Sequence, residues 1–261
     1  MDTKIFVITH KNIAPISIDG YYLLFVGAEG KDSAKADYYD NKGDNISERN
    51  PNYCELTGIY WIWKNIAADI VGICHYRRFL TSSNIFNNPK YFLKINEIES
   101  VLKDFDIILP RPVVFEKSVG SKINIAPNIK DMAELKDAIN ICCPEYLPDY
   151  DWYINQNKTY WYNIMITRKP IFDEYCKWMF EVIKVFDSIH DMSVEKGYRI
   201  RLQGMISERL LNIWIHHNIS DEKIKEFRCI QTDDKSSGLI DNIKYEVKNI
   251  LWQVKNNRQV K

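Results

Sequence analysis

The stretch IVGICHYRR, residues 70–78, is the part of the sequence that decides the fold. Its first five residues are apolar or glycine, which predicts a short buried strand in the interior of a sheet. Four polar or cationic side chains follow this strand without a break: His75, Tyr76, Arg77 and Arg78. Because ligands in open α/β sheets bind beyond the carboxyl ends of the strands, we expect these four residues to line a binding site.

Short apolar runs and amphipathic segments alternate on both sides of this stretch. Further strands are predicted at residues 5–8, 21–26, 106–109, 160–167 and 227–230. Helices are predicted at residues 50–65, 96–103, 131–142, 170–186 and 201–217. The alternation predicts an α/β fold with a single sheet, mixed but mainly parallel, that is flanked by helices.

A change in composition near residue 232 divides the chain into two parts. Residues 1–231 are predicted to form one domain, whose size allows a large core. Residues 232–238 have the composition of a linker, and residues 241–261 form a predicted amphipathic helix with five basic and two acidic side chains. Such a helix binds an anionic membrane surface, or it packs on the domain or on a second subunit; the sequence leaves these alternatives open.

The overall composition excludes several classes of protein. The 261 residues include 35 basic and 35 acidic side chains, and this balance argues against general nucleic-acid binding. No run of 18 apolar residues is present to cross a membrane. None of the six cysteines forms a C-x-x-C pair, so we expect reduced thiols. These features predict a cytoplasmic protein, at the inner face of the membrane if residues 241–261 bind lipid.

Basic residues are concentrated around the predicted strand ends, although the whole chain is neutral. Residues 70–130 contain nine Lys or Arg and five Asp or Glu, and no carboxylate lies between residues 70 and 96. Arginine side chains bind phosphate oxygens in a bidentate manner, so this excess favours an anionic ligand such as a diphosphate. The alternative is a structural ion-pair cluster with Glu55 or Asp69.

The common catalytic and metal-binding motifs are absent or misplaced. Zinc-ligand spacing, G-x-S-x-G, the P-loop and G-x-G-x-x-G do not occur. The D-x-D at residues 104–106 precedes its strand, and the one at residues 149–151 follows no apolar run. We therefore predict no metal ligand and no cofactor.

Five segments together resemble one bacterial family. They are KIFVITHK (4–11), NYCELTGIYWIWKN (52–65), VGICHYRRFL (71–80), DIILP (106–110) and QGMISERLLNIW (203–214). That family was first described as a domain of unknown function from capsule and O-antigen loci, and it is grouped with polysaccharide glycosyltransferases that include galactofuranosyltransferase domains. The resemblance covers residues 4–230 and implies a GT-A-like, Rossmann-type fold.

The resemblance also implies an activity. The enzyme would move a hexose, galactosyl in its pyranose or furanose form, from a UDP-sugar to a growing capsule, O-antigen or exopolysaccharide glycan on a lipid-linked or oligosaccharide acceptor. Arg77 and Arg78 would replace the D-x-D metal motif and stabilise the departing diphosphate. Glu208 is the first candidate for the catalytic base, with Glu55 and Asp151 as alternatives.

The predicted donor-binding residues lie at strand ends, on the first predicted helix, or at positions that the resemblance indicates. The set is Thr9, His10, His75, Tyr76 and Arg111 at strand ends, Tyr53 and Glu55 on the first helix, and Asn163 and Gln203 from the resemblance. The rings of Tyr53, Tyr76 and Trp161 could stack on uracil or on a sugar, and Tyr160 and Tyr162 are expected to adjoin the same cleft.

Two other classes of function fit parts of the pattern. A non-catalytic carbohydrate- or nucleotide-binding subunit of a polysaccharide assembly complex would need the aromatic surfaces but no base. A phosphatase or nucleotidyltransferase would use the cationic strand ends, but it would also need paired metal carboxylates, which the sequence does not provide.

Overall fold

The computed structural model describes residues 1–14, 16–31, 35–122 and 127–232. The predicted terminal helix at residues 241–261 lies outside the described residues, and so does the predicted linker from residue 233 onward. Within the described part of the chain, no helix combines the length and the apolar character needed to cross a membrane. All six cysteines are free thiols.

The described chain alternates between strands and helices, as the sequence pattern predicts. The strands are β1 (Thr3–Thr9), β2 (Tyr21–Phe25), β3 (Tyr38–Tyr39), β4 (Ile70–His75), β5 (Arg78–Thr81), β6 (Ile107–Pro110), β7 (Val113–Val114), β8 (Lys158–Thr159), β9 (Met165–Arg168) and β10 (Ile224–Gln231). The α-helices are α1 (Asn50–Tyr53), α2 (Leu56–Asn65), α3 (Ile95–Val101), α4 (Ile129–Cys142), α5 (Leu147–Asn155), α6 (Lys169–Ile189) and α7 (Leu202–Asn218).

The main sheet begins with four parallel strands in the order β3, β2, β1 and β4. Next comes β9, which runs antiparallel to both β4 and β6, and β10 lies parallel to β6. The short β5 pairs with β10 and with the end of β4, so β4, β5, β10, β6 and β9 close into a ring. The predicted mixed sheet with flanking helices is confirmed, but the sheet is not mainly parallel, because four of its eight strand pairings are antiparallel. The ring and a separate sheet of β7 and β8 have no clear signal in the sequence.

Both faces of the central strands are buried, which explains their continuous apolar runs. Phe6 and Ile8 of β1 belong to the core formed with α2, α4, α6 and α7, whereas Ile5 and Val7 belong to the core formed with β5 and α3. Gly72 of β4 allows β1 and β9 to pack closely, because a β-carbon there would lie 2.5 Å from a side-chain carbon of Ile5. The two strands that carry the predicted site are therefore held in the most rigid part of the molecule.

The first predicted helix is interrupted near its start. Instead of one helix over residues 50–65, α1 ends at Tyr53 and α2 begins at Leu56. Cys54 between them has a φ of +52°, in the left-handed region that most residues avoid. Asn50 supports this kink, because its Nδ2 donates a hydrogen bond to the Cys54 carbonyl oxygen at 2.8 Å. The helical periodicity misses the kink because apolar side chains continue across it.

The predicted strand at residues 160–167 is also shorter than expected. Only β9 pairs within the main sheet there, and β8 ends at Thr159. Tyr162 and Asn163 between them have φ values of +76° and +52°, so the chain makes a tight left-handed turn. The alternation of side-chain types that suggests a strand here belongs to a turn instead.

The D-x-D at residues 149–151 lies in α5, a helix that the sequence pattern does not indicate. The two carboxylate oxygens of Asp149 accept hydrogen bonds from Nδ1 of His216 (2.5 Å) and Nδ1 of His217 (2.7 Å). Asp151, an alternative candidate for the base, forms an exposed ion pair with Lys136. These carboxylates therefore hold α5 against α7 and α4.

A buried charge network anchors the chain just before α7. Arg199 donates hydrogen bonds to both carboxylate oxygens of Asp131, each at 3.0 Å, and to Glu195. His190 lies between the carboxylates of Glu134 and Glu195, at 2.6 and 3.1 Å. Because Asp131 is fully buried, its charge depends on this guanidinium for compensation.

Replacing Arg199 by methionine should therefore destabilise the protein. The substitution leaves Asp131 buried without its cation, a change that costs about 3 kcal/mol in the free energy of unfolding. Urea unfolding measures this difference. Lys136→Met, which breaks an exposed ion pair, is the control and should cost less than about 1 kcal/mol; equal costs for the two variants would contradict the role of the network.

Candidate functional site

A cleft of about 570 Å³ opens at the carboxyl ends of β1 and β4. The strand ends, the kink between α1 and α2, the turn before β9 and the start of α7 form its walls. Its lining includes eight of the predicted site residues: Thr9, His10, Glu55, His75, Tyr76, Arg77, Arg78 and Glu208. The volume suits one small-molecule ligand.

Further residues line the cleft, among them Tyr162, which the sequence indicated only as a stacking surface, and three that the sequence did not indicate: Lys31, Tyr198 and Arg201. Arg201 stands two residues before Gln203, so its segment carried a signal although the residue itself did not. Lys31 lies in a long polar loop, where a single lysine has no distinguishing pattern. Only the folded chain brings these residues to the cleft.

The part of the cleft around His10 is strongly cationic. Burial lowers the pKa of His10, and the charges of Lys11, Arg201, Arg77 and Lys31 lower it further. His10 is therefore mainly neutral at pH 7, whereas the four surrounding side chains carry positive charge. Such a concentration of cations is suited to a group with several negative charges, such as a diphosphate.

His75 is held as a neutral ring by its surroundings. Its Nε2 donates a hydrogen bond to the carbonyl oxygen of Tyr162 at 2.5 Å, because a carbonyl can only accept. Burial lowers the pKa of His75 to about 4, and the charge of Arg78 acts in the same direction. The neutral ring with a proton on Nε2 leaves Nδ1 as a hydrogen-bond acceptor.

Arg78 lies flat over an aromatic ring. Its guanidinium carbon is 4.0 Å from the centre of the Tyr162 ring, a cation–π contact that fixes its orientation. No ion pair joins Arg78 to Glu55 or Asp69 within the residues that the structure describes. The buried Nε of Arg78 also has no hydrogen-bond partner there. The arrangement favours a ligand site over a structural ion-pair cluster at this arginine.

Glu208 is a carboxylate with an unusually high proton affinity. Burial raises its pKa to about 7, and the nearby charge of Glu55 adds to this effect while Arg209 opposes it. One carboxylate oxygen accepts a hydrogen bond from the backbone N–H of Tyr162 at 3.0 Å, and the other accepts from Arg209 at 3.0 Å. A fixed carboxylate that titrates near neutrality can take up and release a proton, as a general base must.

Glu55 is the second carboxylate of the cleft and lies directly after the kink at Cys54. Its Oε1 accepts a hydrogen bond from Nδ2 of Asn163 at 3.0 Å. Burial raises its pKa as well, against the charges of Arg201 and Arg78. The cleft therefore combines a cationic part with a pair of partly buried carboxylates.

The turn at Tyr162 and Asn163 connects these groups. The backbone N–H of Tyr162 donates to Glu208, and its carbonyl oxygen accepts from His75. The Tyr162 ring lies against Arg78, and the side-chain amide of Asn163 donates to Glu55. Asn163 does not line the cleft: it is fully buried behind it, where Nδ2 also donates to Ser207 at 2.8 Å. The sequence prediction of Asn163 as a ligand contact is thus replaced by a positioning role.

Backbone strain is concentrated at this site. Within the described chain, the non-glycine residues with positive φ are Cys54, Tyr162 and Asn163. Each adjoins or contacts a carboxylate of the cleft, and such strained residues persist where surrounding contacts hold them in place. For Cys54 these contacts include Gly204, where a β-carbon would lie 3.2 Å from that of Cys54, and Arg201, whose Nε donates to the sulfur at 3.1 Å.

The other predicted ligand and stacking residues lie outside the cleft lining. Trp161 packs against Arg209, and the hydroxyl of Tyr160 donates to Glu226. Tyr53 is buried, and its hydroxyl donates to Asp187. Gln203 is also buried and donates to the same carboxylate at 2.8 Å, so both residues tie α1 and α7 to α6. Arg111 follows β6 and donates to Asn84 at 2.8 Å. Arg111 is not brought to the cleft by its strand-end position, because β9 lies between β6 and β4 and the Arg111 guanidinium is turned to Asn84.

One group of three residues in the described chain has the spacing of metal ligands: Asp131, His190 and Glu195. Arg199 already donates to both acidic members of the group. None of these four residues lines the cleft. The group is therefore explained as part of the buried charge network.

Comparison with known proteins assigns the family. Residues 4–219 match the model of a domain of unknown function, DUF4422, and the chain belongs to this family. No curated protein matches.

A solved structure gives a more specific likeness. The fold is similar to that of WbbM, a bifunctional glycosyltransferase, with a TM-score of 0.81 and 28% sequence identity. The similarity covers 90% of this chain but 46% of the WbbM chain, so this chain spans about half the length of that protein.

The raised pKa of Glu208 has a consequence for stability. Because the folded-state pKa (about 7) exceeds that of an unfolded glutamate, folding favours the protonated acid, and stability falls as pH rises from about 4.5 to 7. Glu208→Gln removes this loss. The free energy of unfolding of the variant, relative to that of the wild type, should therefore be about 2–3 kcal/mol higher at pH 8 than at pH 4.5. Urea unfolding at both pH values measures the gain, and a difference that stays constant would contradict the raised pKa.

Proposed function

We propose that this protein is a glycosyltransferase that moves a hexose from a UDP-sugar to a growing bacterial polysaccharide. The observation that carries the proposal is the cleft itself, in which a cationic part adjoins a carboxylate, Glu208, whose pKa is about 7. The likeness to WbbM, a bifunctional glycosyltransferase, supports the same reaction class.

The cationic part of the cleft would bind the donor diphosphate. Arg77, Lys31 and Arg201 surround His10, and Arg78 lies nearby over Tyr162. In the reaction the bond between the sugar C1 and the phosphate oxygen breaks, and its electron pair stays on the diphosphate. Fixed guanidinium groups stabilise this developing charge. They would stand where many related enzymes use a D-x-D and a divalent cation, which makes transfer independent of added metal.

Glu208 would act on the acceptor. In a direct displacement the acceptor oxygen forms the new bond to C1 while its proton passes to the Glu208 carboxylate. The Tyr162 N–H and Arg209 hold this carboxylate in place, so its free lone pairs face the cleft. Glu55, held by Asn163, would contact hydroxyl groups of the donor sugar.

The finer assignments follow the family resemblance. We propose a GT-A-like fold, a galactosyl donor in its pyranose or furanose form, and an acceptor that is a lipid-linked or oligosaccharide precursor of capsule, O-antigen or exopolysaccharide. Cytoplasmic action at the inner face of the membrane, with residues 241–261 as a peripheral contact, belongs to the same proposal.

Donor binding can be tested with UDP. We expect UDP to raise the melting temperature equally with Mn²⁺ and with EDTA. Arg78→Ala and Arg77→Ala should each weaken UDP binding at least tenfold, about 1.4 kcal/mol, through loss of a charge-assisted hydrogen bond. Arg111→Ala, outside the cleft, is the matched control and should bind like the wild type. Stabilisation that disappears in EDTA would contradict metal independence, and absent stabilisation would contradict the donor site.

The role of Glu208 can be tested by turnover. With a panel of UDP-sugars and a lipid-linked acceptor mimic, mass spectrometry should detect product from the wild type and at least 100-fold less from Glu208→Gln. UDP affinity should not fall, because the glutamine keeps the contact with the Tyr162 N–H and carries no charge to repel the diphosphate. Wild-type turnover should fall below about pH 7 as Glu208 becomes protonated. Full turnover by Glu208→Gln would eliminate it as the base, and UDP binding without any turnover would favour a non-catalytic subunit.

A further inference from the structure

An exposed aromatic side chain stands at the mouth of the cleft. Tyr198 lines the cleft and yet is 63% exposed. Val194 and Ile200, from the same segment, are also exposed, at 63% and 38%. We call residues 191–201 the rim segment. Exposed apolar side chains grouped beside a ligand cleft indicate a surface that a ligand covers.

The rim segment is exposed but firmly anchored. Arg199, the residue between Tyr198 and Ile200, points inward to the buried carboxylate of Asp131. Asn52 of α1 donates to the carbonyl oxygen of Ile200 at 2.8 Å. Glu195 and Arg199 therefore belong to the buried charge network while Val194, Tyr198 and Ile200 are exposed, and the network holds Tyr198 in a defined position rather than burying it.

The size of the cleft limits what reaches Tyr198. A volume of about 570 Å³ accommodates one ligand of nucleotide-sugar size. The cations that would bind its diphosphate surround His10, and the charge of Arg201 acts on both His10 and the Glu55 carboxylate. A glycan acceptor is longer than one sugar, so its units beyond the reacting one must leave the cleft and pass over its rim.

We infer that Tyr198 is a platform for a carbohydrate acceptor, against which a sugar unit outside the cleft packs its apolar face. The C–H groups on one face of a pyranose present a flat apolar surface that matches an aromatic ring. Arg201, whose guanidinium carbon lies 5.7 Å from the centre of the Tyr198 ring, is placed to donate hydrogen bonds to sugar hydroxyls at the edge of the platform. The inference rests on the proposed function, because it assumes that the donor occupies the cleft.

Saturation-transfer NMR tests the platform on the full-length protein saturated with UDP, with methyl β-galactopyranoside and methyl β-glucopyranoside as probes. The wild type and Tyr198→Phe should transfer magnetisation to the ring protons of at least one probe. Tyr198→Ala should reduce the transfer at least threefold. Phe86→Ala, which removes another exposed aromatic ring outside the cleft, is the matched control and should leave the transfer unchanged.

UDP titrations of the same proteins separate the two proposals. We expect equal UDP affinity for the wild type, Tyr198→Phe and Tyr198→Ala. A wild type that does not bind UDP contradicts the proposed donor site. A wild type that binds UDP but shows no transfer that depends on Tyr198 contradicts the platform alone. A loss of UDP affinity above threefold in Tyr198→Ala also overturns it, because the ring would then contact the nucleotide.

Discussion

The left-handed turn at Tyr162 and Asn163 is the constraint on which the geometry of the site depends. The backbone N–H and carbonyl of Tyr162, with the side-chain amide of Asn163, hold His75, Glu55 and Glu208, which come from a strand end and from two helices far apart in the sequence. A positive φ at a non-glycine residue costs on the order of 1 kcal/mol or more. The buried contacts of Asn163 with Glu55 and Ser207 offset that cost, so the turn and the carboxylates stabilise each other.

The sheet determines where this turn can act. β9, which follows the turn, pairs antiparallel with β4, the strand that ends at His75. The start of β9 therefore lies beside the end of β4, and the register of this strand pair places the turn at the cleft. Gly72 in β4 permits this close packing, because a larger residue would meet Ile166 of β9 and Ile5 of β1.

The sequence predicted the parts of the structure that depend on repeated patterns. Apolar runs located β1, β4 and β6, and the strand-end rule brought Thr9, His10 and the residues from His75 to Arg78 to one place. Periodicity could not show the kink at Cys54 or the turn at Asn163, because each depends on one or two backbone angles that tertiary contacts impose.

Residues at the right position in the sequence were not always at the cleft. Tyr53 and Gln203 lie one helical turn or less from lining residues, but they point to Asp187 of α6. The rotation of a helix decides which side chains face a ligand, and a spacing argument does not fix that rotation when most of the helix is buried, as α7 is. Arg201 shows the converse case. The sequence pattern does not single it out, and yet its side chain lines the cleft.

Glu208 also links ligand binding in the cleft to the uptake of protons from the solution. Its carboxylate is about half protonated near neutral pH, and the negative charge of Glu55 already favours the protonated form of Glu208. A diphosphate that enters the cleft adds negative charge, so binding should draw a proton from the buffer. Arg209, which does not line the cleft, opposes that uptake through its contact with Glu208. The number of protons absorbed on binding thus depends in part on Arg209, a side chain outside the cleft lining.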